Sequence, residues 1–194
     1  MTAHEEEAAA APRHQPRRVW VVPQLREGRI ARVSWEAVAA AQRLAAALGE
    51  IDELPRPGAA PAPAPPSPNV ARVEAVLLGQ GLDGAARELA QRDLAAVHVA
   101  DHPALAAYTP GAWIGVLAPA LAAASPDFVL FPHTYQTVDF VPRLAQRAGT
   151  GLLPEVTGFS AAGGGLVWTR PVLGGKLQAR VRVRGAGTVL VSVQ

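Results

Sequence analysis

The sequence contains no cysteine and a single lysine, Lys176. Without cysteine, disulfides, thiolate metal sites and cysteine nucleophiles are all excluded. No apolar run approaches the ~18 residues that a membrane-spanning helix needs. The net charge is only +2 and the arginines are scattered, whereas a nucleic-acid partner requires a stripe of positive charge. We therefore expect neither a membrane nor a nucleic-acid partner.

The first residues are acidic before they are basic and lack an apolar core. They resemble neither a secretory signal nor a transit peptide, so a cytoplasmic location is expected. Residues 1–16 are predicted to form a disordered tail because they carry few bulky apolar groups. Residues 17–194 are predicted to form one domain, since the chain is 49% hydrophobic and 18% charged. The Pro/Ala-rich segment 55–68 is predicted to be an extended surface loop within that domain.

A strand–helix–strand unit is predicted in the middle of the chain. Asp127–Phe131 is a short apolar run typical of a buried strand, and Leu152–Thr157 is a second one. Between them, Pro142 is expected in the first turn of a helix, because proline lacks the N–H that an interior position donates. The helix would then begin at about Thr137–Asp139, capped by one of those two residues, and end at Gly149. Such a unit predicts a parallel sheet with a right-handed crossover.

The first half of the chain shows the same alternation of strands and helices. Arg18–Val22 is predicted to be a strand, and Glu27-Gly28 a turn. Ser34 is expected to cap a helix over Trp35–Leu48 that Gly49 ends. The pattern then predicts a strand at Val73–Leu78, a helix at Leu82–Gln91, a strand at Ala95–Val99 and a helix at Pro110–Ala124.

The pattern changes after the central unit. Val167–Thr169, Leu177–Arg184 and Thr188–Val193 are predicted to be antiparallel strands with one exposed face, because valines alternate with arginines in the second of them. The predicted fold is therefore α/β, with three α/β/α layers, a mostly parallel sheet and a C-terminal antiparallel β-hairpin extension.

A glycine-rich turn follows the strand at Val73–Leu78. Gly79, Gly81 and Gly84 meet the spacing G-x-G-x-x-G, and Asp101 lies 20 residues after Gly81. This pattern is typical of dinucleotide binding, in which a helix N-terminus holds a phosphate. A tight turn with close helix packing explains the glycines equally simply, and we favour that interpretation.

Polar residues follow the central strand at the edge where open sheets bind ligands. His133 has no second histidine or carboxylate at metal-ligand spacing, so no metal is expected there. His98 and His102 flank Asp101 and are interpreted as ordinary strand-end histidines. No Ser-His-Asp order or nucleophile elbow is present, so no catalytic residue is predicted.

Two stretches of the chain, FPHTYQTVDFVPRLAQRAGTGLLPEVTGF and WTRPVLGGKLQARV, resemble the N-terminal domain of the electron transfer flavoprotein α subunit. The resemblance extends over roughly residues 18–194. Val138 stands where that family usually has an arginine, and Leu173 where it has an aromatic residue. The positions that match the family pattern are Asp139, Pro142, Arg143, Leu144, Ala145, Val156, Thr157, Thr169, Arg170, Pro171, Gly174, Gly175 and Lys176.

The resemblance implies an electron carrier subunit rather than an enzyme. Such a subunit pairs with a β subunit and passes electrons from dehydrogenases, including those of fatty acid oxidation, through FAD. The FAD-holding second domain of the family would begin shortly after Gln194 and is expected to be absent, so FAD is not expected on this chain alone. The predicted partner contacts are His133, Tyr135, Thr137, Asp139, Arg143, Arg170 and Lys176.

Two other functions remain open. The chain could be a free-standing module that binds AMP or ATP at the glycine turn. It could also be a structural partner of a separately encoded flavin domain.

Overall fold

Six parallel strands form the central sheet of the protein. The computed structural model describes residues 16–53, 71–184 and 187–194. The strands of the sheet are β1 (Arg18–Val21), β4 (Arg72–Gly79), β5 (Ala96–Asp101), β6 (Phe128–Pro132), β7 (Gly151–Val156) and β11 (Val189–Val193). Their spatial order is β5-β4-β1-β6-β11-β7. The carboxyl ends of all six therefore lie along one edge.

Helices cover both faces of this sheet. The first face packs against α1 (Arg32–Glu53) and α2 (Asp83–Ala90), and the second against α3 (Pro110–Ala124) and α4 (Tyr135–Ala148). The central strand β6 contributes to both cores, with Leu130 on the first face and Phe131 on the second. This is the three-layer α/β/α arrangement that the sequence predicts, and the helix over Pro110–Ala124 is confirmed at both ends.

An antiparallel sheet of three strands lies beside α1 on the first face. Trp168 joins it to the main core, since the Trp168 ring packs against Phe128 of β6 and Phe159. This sheet is the predicted antiparallel extension. Its strands are β8 (Gly158–Ala162), β9 (Gly165–Val172) and β10 (Leu177–Val181). A short hairpin, β2 (Leu25–Arg26) and β3 (Arg29–Ile30), forms around the predicted Glu27-Gly28 turn, and a 3-10 turn spans Pro103–Leu105.

The prediction for the last strand was wrong. β11 is not a half-exposed antiparallel strand: all five of its residues are buried, and it is parallel to both β6 and β7. β9 starts near the amino edge of the main sheet, where Gly165 lines a cavity with Arg18 and Asp127. β10 is antiparallel to β9, so the chain leaves β10 near that same edge. There Val189 N donates to Asp127 O at 3.0 Å, and β11 enters between the two strands of the predicted strand–helix–strand unit.

The predicted start of α4 was also wrong. The helix begins at Tyr135, and its N-cap is Thr134, whose side chain accepts a hydrogen bond from Thr137 N. Neither Thr137 nor Asp139 caps it, and Pro142 lies in the helix interior. An interior proline removes one backbone hydrogen bond. The buried face formed by Phe140, Val141 and Leu144 offsets that loss.

Helix α1 is longer than its sequence signals predict. It begins before Ser34 and continues through Gly49. Ser34 is therefore not a cap: its hydroxyl accepts from Gln24 N at 2.9 Å and donates to Gln24 O at 3.0 Å. These two bonds attach the loop after β1 to the helix.

Several predictions fall on residues outside the described ranges. They are the tail, apart from residue 16, and the Pro/Ala-rich loop 55–68. Within the ranges that the structure describes, no helix is both long enough and apolar enough to cross a membrane.

Neighbouring residues on α4 provide a test of this packing. Leu144 is fully buried, whereas Arg143 is exposed and forms an ion pair with Asp139 at 3.4 Å. We expect Leu144→Ala to lower the free energy of unfolding by roughly 2–5 kcal/mol, because it leaves a cavity between α4 and the sheet. Arg143→Ala should cost under about 0.5 kcal/mol. Urea unfolding of both variants checks this, and equal stabilities would show that the helix face is misassigned.

Candidate functional site

The carboxyl edge of the sheet gathers several of the predicted site residues. Gly79 ends β4, Asp101 ends β5 and His133 follows β6. Parallel α/β sheets bind their ligands at this edge. The residues there form two separate groups, one around the glycine turn and one around His133.

The glycine turn is closed by the carboxylate of Asp101. Asp101 Oδ1 accepts from Gly81 N at 3.0 Å, and Oδ2 accepts from Leu82 N at 2.8 Å. Gly81 has a φ of 69°, and a Cβ on Gly79 would lie 3.0 Å from Leu82 Cδ2. Gly81 is therefore favoured by its backbone conformation, and Gly79 by its close contact with Leu82. Gly84 lies in the first turn of α2 with open space around it.

This geometry favours the tight-turn interpretation. The N–H groups that would hold a phosphate already have an acceptor, and that acceptor carries the same sign of charge as a phosphate. Nucleotide binding at Gly79, Gly81, Gly84 and Asp101 stays a prediction.

His133 joins the ends of three strands. Its Nδ1 lies 3.0 Å from Ser192 Oγ on β11, and its Nε2 lies 3.6 Å from Glu155 Oε1 on β7. Glu155 N also donates to Ser192 Oγ at 3.0 Å. The Ser192 hydroxyl therefore contacts both the Glu155 N–H and the His133 ring.

Backbone strain accompanies this cluster. Glu155 has a φ of 58°, a left-handed conformation that few residues other than glycine adopt. The pairing of β7 with β11 is irregular between Val191 and Val193, beside Ser192. Ser192 is buried, and its hydroxyl links Glu155 of β7 to His133 at the end of β6. Sequence analysis missed Ser192 and Glu155, because their proximity to His133 depends on the insertion of β11.

The predicted residues of α4 have different surroundings. Tyr135 is 98% exposed, whereas Thr137 is buried and donates to Pro132 O at 2.7 Å. Thr137 therefore stabilises the turn between β6 and α4, whereas the side chains of Tyr135 and Arg143 are exposed.

Asp139 fastens the loop before α3 to α4. Tyr108 Oη donates to Asp139 Oδ2 at 2.8 Å, and Arg143 pairs with the same carboxylate. Burial, and then the hydrogen bond to the Asp139 carboxylate, raises the pKa of Tyr108 well above its usual value. The Tyr108 ring packs edge-on against Trp113 and Phe140. Sequence analysis interpreted Asp139 as a helix cap and did not foresee this contact.

Arg170 and Lys176 lie on the β9–β10 hairpin, and His133 and α4 belong to the main sheet and its second face. Lys176 is exposed, and Arg170 is half-buried with an Nε that has no hydrogen-bond partner among the described residues. The two cations share a hairpin, as predicted. Within residues 16–53, 71–184 and 187–194, neither Arg170 nor Lys176 forms an ion pair with a carboxylate.

A buried carboxylate on β4 was not foreseen from the sequence. Glu74 accepts from Arg18 Nη2 at 2.7 Å, from Trp20 Nε1 at 2.9 Å and lies 2.9 Å from His98 Nε2. Burial raises the pKa of Glu74, but the hydrogen bonds from Arg18, His98 and Trp20 outweigh it and lower the pKa to about 2. His98 is thus part of a charge network across β1, β4 and β5. In the sequence, this network is indicated by one polar residue in each of three apolar strands: Arg18, Glu74 and His98.

No group of three side chains suited to holding a metal ion occurs among the described residues.

The family model described as "Electron transfer flavoprotein domain" matches residues 67–194. The chain belongs to the electron transfer flavoprotein family. It is 30% identical over 165 residues to the electron transfer flavoprotein subunit alpha of Bacillus subtilis, a match that covers 85% of this chain and 44% of that protein.

Other relatives in the family show the same partial coverage. Protein FixB of Clostridium saccharobutylicum is 30% identical over 84% of this chain and 43% of its own length. The acryloyl-CoA reductase electron transfer subunit beta of Anaerotignum propionicum is 28% identical over 73% of this chain and 33% of its own length. The chain spans less than half the length of these relatives, and it is similar to the N-terminal part of the α subunits.

The Glu74 network predicts a specific loss of stability in acid. The folded-state pKa of Glu74 is depressed, so its contribution is fully present above its unfolded pKa of 4.5 and is lost as the pH falls toward about 2. A shift of this size corresponds to about 3 kcal/mol. We expect the difference in unfolding free energy between the native chain and Glu74→Gln to shrink by that order between pH 5 and pH 2.5. Parallel pH profiles from urea unfolding would contradict it.

The Asp101 contacts predict that this carboxylate stabilises the glycine turn. Asp101→Ala removes the acceptor for Gly81 N and Leu82 N, and we expect a loss of about 1–2 kcal/mol in unfolding free energy. Asp83→Ala is the matched control, because Asp83 is an exposed acidic residue in the first turn of α2, directly after the glycine turn, and its side chain caps nothing in the described chain. Urea unfolding should show a change within about 0.5 kcal/mol for that control. Equal effects in the two variants would rule out the turn-closing role.

Proposed function

We propose that this chain is the scaffold domain of an electron transfer flavoprotein α subunit. It pairs with a β subunit, and the assembly passes electrons from dehydrogenases through FAD. The observation that carries this proposal is the similarity to α subunits over 85% of the chain. The parallel sheet with both faces covered supports it, since such a sheet is a rigid platform for surface contacts.

An electron carrier role fits the chemistry of the carboxyl edge better than catalysis does. The serine beside His133 is buried and satisfied, and Asp139 is engaged by Tyr108 and Arg143. These groups hold backbone and side chains in place. The relatives are named as electron transfer subunits, which supports a carrier whose redox chemistry belongs to the flavin.

The glycine turn does not fit the pyrophosphate of FAD. Asp101 occupies the N–H groups of Gly81 and Leu82 and would repel a second anion there. We therefore assign the flavin to a separate segment of the assembly. The chain matches 44% of the Bacillus subtilis α subunit. The cytoplasm is the proposed compartment of this assembly.

Partner contacts are proposed on two exposed surfaces. The first is the outer side of α4, where Tyr135 and Arg143 are exposed and His133 lies nearby at the end of β6. The second is the β9–β10 hairpin with Arg170 and Lys176. Asp139 contributes to the first surface through its ion pair with Arg143.

A nucleotide-binding module is the second candidate function. The G-x-G-x-x-G spacing and the position of Asp101 at the end of the adjacent strand favour it. It requires Asp101 to release the turn, so AMP or ATP should bind the Asp101→Ala variant better than the native chain. Calorimetric titration with AMP distinguishes this function from the scaffold role.

Flavin content tests the scaffold proposal. We expect the chain purified alone to be colourless. Co-expression with the β subunit and the α-subunit flavin domain of the same organism should yield one complex with bound flavin, measured by its absorbance spectrum and by size-exclusion chromatography. A stoichiometric flavin in the isolated chain would contradict the proposal, as would a complex of the other two components that excludes this chain.

A further inference from the structure

The tip of the β9–β10 hairpin, Leu173–Leu177, extends past the neighbouring strand of the small sheet. Thr169 of β9 pairs with Gly158, the first residue of β8. The remaining residues of β9 therefore pair with β10 alone. Gly164 and Gly165, at the other end of β9, line a cavity with Arg18 and Asp127 at the amino edge of the main sheet. The hairpin tip thus lies toward the carboxyl edge.

Two leucines at the hairpin tip are exposed. Leu173 is 71% exposed and Leu177 is 58% exposed. Neither belongs to the two hydrophobic cores or to the partly buried side chains packed against them. The fold therefore gains little from either side chain.

Leu173 is exposed and also has a strained backbone. Leu173 has a φ of 54°, followed by Gly174 at 65° and Gly175 at 83°. Glycine and asparagine adopt this left-handed conformation at lower cost than leucine. Strained residues of this kind concentrate at binding sites. A leucine kept here, without packing, is best explained by a contact outside the chain.

The charged residues of the β9–β10 hairpin are all cationic. They are Arg170, Lys176 and Arg180. Arg182 lies beside Gly163, at the end of β9 opposite the tip, and does not add to this charge. Such a field attracts an acidic surface and orients it before contact.

We propose that the hairpin tip inserts Leu173 and Leu177 into an apolar pocket, rimmed by carboxylates, on the partner subunit. This rests on the proposed function, in which that partner is the β subunit. A second copy of this chain is disfavoured as the occupant, because tip-to-tip pairing would place Lys176 against its own copy. Nucleic acid would leave the leucines without an apolar contact.

The variant Leu173→Asn separates binding from folding. Asparagine tolerates the left-handed backbone, so thermal unfolding should be unchanged or raised relative to the native chain. The Kd for the purified β subunit, measured by calorimetry, should rise at least about tenfold. Val99→Thr is the matched control, since Val99 is 47% exposed on β5 at the opposite edge of the sheet, and its Kd should equal that of the native chain.

Charge reversal tests the carboxylate rim. Lys176→Glu should raise the Kd about tenfold at low ionic strength, and added salt should reduce that difference. Arg87→Glu, an equal charge change on the exposed side of α2, is its control.

The outcomes separate this inference from the proposed function. Native-like affinity in both tip variants overturns the inference while leaving the pairing intact. No association of the native chain with the β subunit overturns both. Binding of the native chain to anionic phosphatidylserine vesicles, lost in Leu173→Asn without any change in β-subunit affinity, also overturns it and marks the tip as a membrane contact.

Discussion

The insertion of β11 between β6 and β7 is the constraint on which the rest of the structure depends. β6 and β7 do not pair with each other; each pairs with β11. All five residues of β11 are buried, and Leu190 and Val191 are fully buried on opposite faces of the sheet. The last strand of the chain therefore completes both cores. It also carries Ser192 to the carboxyl edge, where the hydroxyl contacts His133 and Glu155.

Three carboxylates among the described residues hold the chain to itself. Glu74 is buried under Arg18, Trp20 and His98, Asp101 closes the glycine turn, and Asp139 receives the Tyr108 hydroxyl. Paired or hydrogen-bonded acids of this kind stabilise a fold near neutral pH and are poor sites for anionic ligands. Several cations near the C-terminus, by contrast, are exposed: Lys176, Arg180, Arg182 and Arg184.

The glycine turn shows how a binding motif and a packing solution can share one pattern. The G-x-G-x-x-G spacing and the acidic residue at the next strand end are both present. In the structure the acid bonds to the turn itself, and Gly79 and Gly81 are explained by a close contact with Leu82 and by a positive φ.

The sequence by itself determined the α/β class, the parallel strand–helix–strand unit and the family. These follow from local signals: apolar runs such as Asp127–Phe131, helix-ending Gly149, and the Thr169-Arg170-Pro171 motif. Only the tertiary structure decided the place of β11, the start of α4 and the partners of Glu74, Asp139 and His133. A buried parallel strand has no alternation to reveal its direction, and an interior proline is tolerated only because a distant apolar face packs against the helix. The Glu155 backbone N–H and the His133 ring, 37 and 59 residues before Ser192, reach its hydroxyl only after the sheet order brings their strands together.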